Sequence, residues 1–119
     1  MFEQEMNTVL SFLRGAKGIL LMGQDGIAIE QYTKGSVENF EEISIEMSQI
    51  LVQIGQITQQ NELGSMKEMI FYTNKNTIMI HVMNHDIFLA LLLDDQENLG
   101  KSRFALQKIT PDIKMKLKL

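Results

Sequence analysis

The residues of this chain that could do chemistry are few. The most enzyme-like string is Asp95-Gln96-Glu97-Asn98-Leu99-Gly100-Lys101-Ser102, which ends like a phosphate-binding P-loop and lies between a strand-like run and a helical pattern. A P-loop attracts phosphate with backbone amides and a lysine. Asp95 in place of its first glycine, with Asp94 and Glu97 nearby, would repel what the loop should hold. The string reads instead as a capped helix start, with Asp94 or Asp95 as the cap. His81 and His85 stand four apart, but the turn-forming Asn84 between them prevents a helical ligand pair, and no acid stands at metal-ligand spacing. Neither a metal nor a cofactor is expected. The chain has no cysteine, hence no thiol nucleophile, thiolate zinc site or disulfide. It has no Gly-x-Ser-x-Gly elbow, and the paired acids Glu41-Glu42 and Asp94-Asp95 fall at helix starts, where favourable placement in the helix dipole accounts for them. Catalysis by this chain alone is not expected.

A chain of 119 residues and 13.6 kDa fits one domain with one core. The formal net charge of −4 has the wrong sign for a protein whose affinity rests on neutralising phosphates, so nucleic acid is not an expected partner. The charge is also uneven. From Lys101 onward, six bases stand against Asp112 alone, a local net of +5, which leaves −9 on the first hundred residues. The opening Met1-Phe2-Glu3-Gln4-Glu5 is acidic where a signal peptide is basic, and the longest aliphatic run, Ile87 to Leu93, is far short of a membrane span. A cytoplasmic protein without stable membrane insertion is expected.

Phe2, Met6, Val9, Leu10 and Leu13 recur at helical spacing ahead of Gly15. Gly18 to Gly23, the Asp25-Gly26 turn and Ile27 to Thr33 read as a β-hairpin. Ser36 is positioned as the N-cap of a long helix from Val37 to about Asn61. Three strands follow, Met66 to Thr73, Thr77 to Met83 and Asp86 to Leu93, separated by Asn-containing turns. A last helix is marked by Leu99, Ser102, Leu106, Ile109 and Ile113, with Pro111 kinking it or restarting it behind Thr110. The order is α-β-β-α-β-β-β-α. Ile19 to Met22 and Ile87 to Leu93 are apolar at every position, so the central strands must be covered on both faces. The expected architecture is α/β in the α+β sense. It is a three-layer α/β/α domain on a five-stranded antiparallel sheet, with the long helix on one face and the terminal helices on the other.

The long helix is too apolar for one contact. Phe40, Ile43, Met47, Ile50, Ile54 and Ile57 form a stripe expected to pack on the sheet, with Leu51 beside it. Ile45 and Val52 fall on a second arc roughly 100° or more away, with the small residues Ser44, Ser48 and Gly55 between. Gly inside a helix costs about 1 kcal/mol relative to Ala, so Gly55 should have a packing reason. Either a terminal helix folds over this arc or another chain does.

In this element order, Gly18-Ile19-Leu20-Leu21-Met22-Gly23-Gln24-Asp25-Gly26-Ile27 resembles the strand-turn-strand opening of the roadblock (dynein light chain roadblock) family. Leu91 to Asp95 running into Leu99-Gly100-Lys101-Ser102-Arg103 is similar to the last strand and Leu-Gly-x-x-Arg helix start of its bacterial MglB-type members. The resemblance implies a roadblock/profilin-like fold over residues 1–113, followed by a basic and apolar tail, 114–119. It implies a homodimer in which the third strands pair, through Lys67, Met69 and Phe71, and the middle helices lie side by side. It further implies a small Ras-like GTPase bound across the helix pair, at positions matching Ile45, Ser48, Val52, Gly55, Gln56 and Gln59. A regulator of that GTPase, as activator or co-regulator in cell polarity or motility, is the implied function. The alternatives are a scaffold joining a GTPase module to a motor or polarity complex, and a PAS- or profilin-like ligand-sensing domain. The alternation of Lys114, Lys116 and Lys118 with Met115, Leu117 and Leu119 would suit strand addition to a partner or contact with an anionic surface if the tail is extended.

Overall fold

A computed structural model describes residues 1–119. The elements follow the expected order: α1 (Glu3–Phe12), β1 (Ala16–Gly23), β2 (Ala28–Thr33), α2 (Phe40–Gln60), β3 (Glu68–Tyr72), β4 (Asn76–Val82), β5 (Ile87–Asp94) and α3 (Leu99–Leu117). The five strands form one sheet in the order β2-β1-β5-β4-β3, antiparallel throughout. The two all-apolar strands are therefore neighbours at its centre, where Ile19 faces Leu91 and Leu20 faces Ala90 across the ladder.

Alternation sorts these side chains into two cores. Ile19, Leu21, Leu89, Leu91 and Leu93 point to the side closed by α1 and α3, where Phe2, Met6, Leu106 and Ile113 meet them. Leu20, Met22, Phe88, Ala90 and Leu92 point to the other side, against Phe40 and Leu51 of α2. Gly18 makes the second packing possible. A Cβ there would lie 2.9 Å from the Phe40 ring, which rests on the bare backbone of β1. Glu30 of β2 ties down the start of the chain, its carboxylate accepting the Phe2 backbone N–H at 3.0 Å and the Met1 ammonium at 2.7 Å.

Several boundaries differ from the sequence expectation. The middle helix starts at Phe40, and Ser36 does not cap it. Val37 turns into the α2-side core, so the chain stays irregular until Asn39, which takes the N-cap position with φ 61° and no side-chain cap bond. The last helix is capped by neither Asp94 nor Asp95 but by Asn98, whose side chain accepts the Lys101 N–H at 2.8 Å. Glu97 turns back to accept the Gly15 N–H at 2.9 Å. The P-loop-like string is thus a clasp between the β5–α3 loop and the start of β1.

Pro111 does not restart α3 behind Thr110: the helix is continuous through it, and the Thr110 hydroxyl donates back to the Leu106 carbonyl at 2.7 Å. Proline removes only its own N–H bond to the carbonyl of exposed Gln107, which water can satisfy. The helix runs on through Leu117, so Lys114 to Leu117 are helical and not an extended alternating segment.

Candidate functional site

The long helix meets the sheet through a different face from the one its apolar stripe suggests. Its buried residues are Phe40, Ser44, Ser48 and Leu51. The small residues sit inward because the helix crosses close to the β1–β2 turn. A Cβ built on Gly26, which has φ +90°, would lie 3.6 Å from Ser48 Oγ and 3.7 Å from Ile45 Cγ2. Both serine hydroxyls are satisfied within the helix, Ser44 donating to the Phe40 carbonyl and Ser48 to that of Ile45. Ser48 is therefore closed off inside its own chain, a correction to its place among outward contact residues.

This rotation leaves apolar residues on both flanks. On one flank Ile43, Ile50 and Ile54 are half-buried and Ile57 is 54% exposed. Ile43 shares a depression of about 380 Å³ with Phe71 of β3, Ile78 of β4 and Leu92 of β5. On the other flank Ile45 is half-buried and Val52 is 41% exposed. Val52, Gly55, Gln56 and Gln59 form one wall of a cleft of about 910 Å³, faced by Gln24, Asn84 and His85 from the strand turns and by Lys67. A Cβ on Gly55 would touch nothing within 4 Å. The reason for this glycine is not found within the chain.

Five of the six expected helix contacts, Ile45, Val52, Gly55, Gln56 and Gln59, thus lie on or beside one flank, and only Ser48 is withdrawn. The strand residues Lys67, Met69 and Phe71 lie at the sheet edge. Lys67 precedes β3, but its carbonyl accepts the Val82 N–H at 2.9 Å and prolongs the ladder by one bond. Met69 packs partly into the α2-side core, and Phe71 reaches the depression beside Ile43. The outer edge of β3 has no neighbouring strand.

Arg103 holds this edge from the opposite face. Its guanidinium donates to both Glu68 oxygens, at 2.6 and 2.7 Å, and pins β3 to α3. Hydrogen bonding to Arg103 keeps the Glu68 carboxyl below the usual carboxylate range despite burial. Glu68 is paired with His81 across the ladder, and burial holds the His81 imidazole below its ordinary pKa, with Glu68 partly opposing the effect. His85 is exposed in the β4–β5 turn beside Asp86. No group of three or more His, Cys, Asp or Glu side chains is arranged to hold a metal ion.

Sequence reasoning missed the Ile43 flank as an open surface, because a helical wheel gives angles between residues and not the direction of the sheet. It also gave Arg103 no role beyond its place in the Leu-Gly-x-x-Arg pattern. That arginine was the available signal for the clamp on β3.

The surface can thus recognise another protein chain through half-covered aliphatic flanks, an open strand edge and an amide-lined cleft. Known proteins share the framework. The Roadblock/LC7 domain from Streptomyces avermitilis superposes with a TM-score of 0.86 at 9% identity, covering 97% of this chain and 96% of that one. MglB of Myxococcus xanthus gives 0.81 at 13% identity, covering 97% and 96%. MglC of Myxococcus xanthus gives 0.67 at 23% identity, covering 97% and 98%. No curated protein sequence matches the chain. The profile of the Roadblock/LC7 domain matches residues 3–93, which span α1 through β5, and the chain belongs to that family.

Proposed function

We propose that this protein is a homodimeric, cytoplasmic regulator of a small Ras-like GTPase, as activator or co-regulator, and not an enzyme in its own right. The observation that carries the reading is the incomplete cover of α2. A roadblock fold with MglB-like and MglC-like architecture leaves apolar residues open on both flanks of its middle helix. The two flanks suit two occupants. Ile43, Ile50 and Ile54, continuous with Met69 and Phe71 at the free edge of β3, serve a second copy, with β3 pairing to β3 through the bonds the edge leaves unmade. Ile45, Val52, Gly55, Gln56 and Gln59 serve the GTPase, whose approach the notch at Gly55 admits. No helix is long and apolar enough to cross a membrane.

The test is nucleotide hydrolysis by a Ras-like GTPase encoded beside this gene, with and without this protein, combined with co-purification. Acceleration marks an activator. Binding without acceleration marks a scaffold between a GTPase and a motility or polarity complex. Absence of interaction with any such GTPase would falsify the regulator reading. A solution mass of one subunit would remove the dimer.

A further inference from the structure

The layer of α1 and α3 has an outer face that the function above does not use. The buried side of α3 runs through Ser102, Ala105, Leu106, Ile109 and Ile113. Directly opposite, Phe104, Lys108, Pro111 and Met115 follow at i, i+4, i+7 and i+11 and form one ridge along the helix. Phe104 is 56% and Met115 74% exposed. At the end of α1, Phe12 is 44% exposed and continues the ridge, its ring 6.4 Å from that of Phe104 and 4.7 Å from the Lys101 ammonium.

Lys101, Lys108, Lys114 and Lys118 line this helix without a salt bridge, and Asp112 is its one acid. On α1 the outward residues Gln4, Asn7, Thr8 and Ser11 are uncharged, Glu5 is paired with Lys116, and Glu3 at the helix start is the one exposed acid. Across the sheet the sign reverses. From Gly35 to Met66 there are five glutamates and no lysine or arginine. Lys17 and Lys67 also border the α2 side, whose balance with those five glutamates stays acidic, so the molecule is electrically polarised through its thickness.

We propose that the outer face of α1 and α3 is a peripheral binding surface for anionic phospholipid bilayers, with the lysines at the headgroup phosphates and Phe12, Phe104 and Met115 entering the interface between them. The charge sign selects an anionic surface, and the acidic face turned away from it fixes the orientation. The form of the face selects a bilayer over a folded acidic protein. It is a narrow ridge of few apolar tips, the Phe12–Phe104 pair and Met115, flanked by flexible lysines. A fluid headgroup layer accommodates that shape, whereas a protein interface requires a packed complementary core. Attachment is interfacial and reversible.

The experiment is co-sedimentation of the full chain with vesicles of phosphatidylcholine alone or mixed with phosphatidylglycerol, at low and high salt and with no GTPase present. The expected result is binding to the mixed vesicles only, lost at high salt. The triple variant K101Q/K108Q/K118Q should weaken it by roughly a hundredfold, about fivefold per lysine. Phe104→Ser should weaken it severalfold, and Glu46→Lys on the far face should leave it intact. Unchanged circular dichroism melts would show that these surface variants fold. Equal binding to both vesicles, indifference to the lysine changes, or no binding at low salt would overturn the proposal. So would a salt-sensitive rise in mass without vesicles that the lysine variant abolishes, because the face would then be docking on the acidic α2 side of another copy.

Discussion

The two faces of the sheet begin from equally apolar strands and end up covered to different depths. On the α1 and α3 side, 17 buried residues form one cluster, closed by two helices. On the α2 side the cluster has eight, under a single helix that touches the sheet through two serines as well as Phe40 and Leu51. The closed face is the one whose outer surface is basic, and the open face is the acidic one. The difference separates the core that holds this chain together from the apolar surface it leaves for other protein chains. The chain exposes 7101 Å², somewhat more than the roughly 6,600 Å² expected for its mass, as suits a domain with one face left to be covered.

The largest effect should come from the closed face. Leu106 is fully buried on α3, and Leu106→Ala should cost about 2–5 kcal/mol in chemical denaturation by emptying packed volume. Because that core lies within one chain, the loss should not depend on protein concentration. A concentration-dependent loss would mean that this face, too, is shared between chains.

On the open face the opposite dependence is expected. Phe71→Asp or Ile50→Asp places a carboxylate on the half-covered flank, which should leave the fold intact and lower dimer affinity by at least about tenfold, roughly 1.4 kcal/mol. Analytical ultracentrifugation reads the mass directly. Wild-type unfolding should shift with concentration, and variant unfolding should do so only at the higher concentrations where its weakened dimer still forms. A variant that stays dimeric would move the dimer contact away from β3 and the Ile43 flank.

Acid should act on the strut between the two regions with two separate onsets. Burial lowers the folded pKa of His81, beside Glu68 and Lys114, so its contribution is fully present above the ordinary 6.5 and is lost as pH falls from there. Hydrogen bonding to Arg103 lowers the folded pKa of Glu68, so its contribution persists down to about 4.5 and is lost below. In melting temperatures measured against pH, His81→Asn should flatten the upper limb and Glu68→Gln the lower one. If either variant leaves both limbs unchanged, that group is not the source of the acid sensitivity.

Most of the fold could be read in the sequence because its strongest signals are local. The Asp25-Gly26 turn joins neighbouring strands, and the unbroken apolar run Ile87 to Leu93 requires cover on both faces whatever its partners are. The site was less legible because its determinants are not local. The α2 residues carry three apolar or small arcs, and only the position of the β1–β2 turn at Gly26 decides that Ser44 and Ser48 turn inward while Ile43 and Ile50 turn out. The pairing of Glu68 with Arg103 spans 35 residues and leaves no periodic trace. Asp94 and Asp95 are the caps the sequence suggests because capping requires only neighbours, and Asn98 takes that place. The contact of Glu97 with Gly15, near the other end of the chain, has no local signal at all.

The finest division between the two regions can be made with one methyl group placed at two glycines. At Gly18 a Cβ would lie 2.9 Å from the Phe40 ring, which is buried and held between β1 and α2. Gly18→Ala should therefore destabilise the chain by about 1–3 kcal/mol, as overpacking does. At Gly55 a Cβ meets nothing within 4 Å and the residue lies inside a helix, so Gly55→Ala should stabilise the isolated chain by about 0.5–1 kcal/mol. A glycine whose replacement strengthens its own chain is explained by something outside it. If the main chain of a GTPase passes over this notch, the same methyl should weaken that complex by about fivefold or more while denaturant midpoints rise. A rise in stability with unchanged GTPase affinity would remove Gly55 from the contact and leave the Val52 and Gln56 flank to be tested without it.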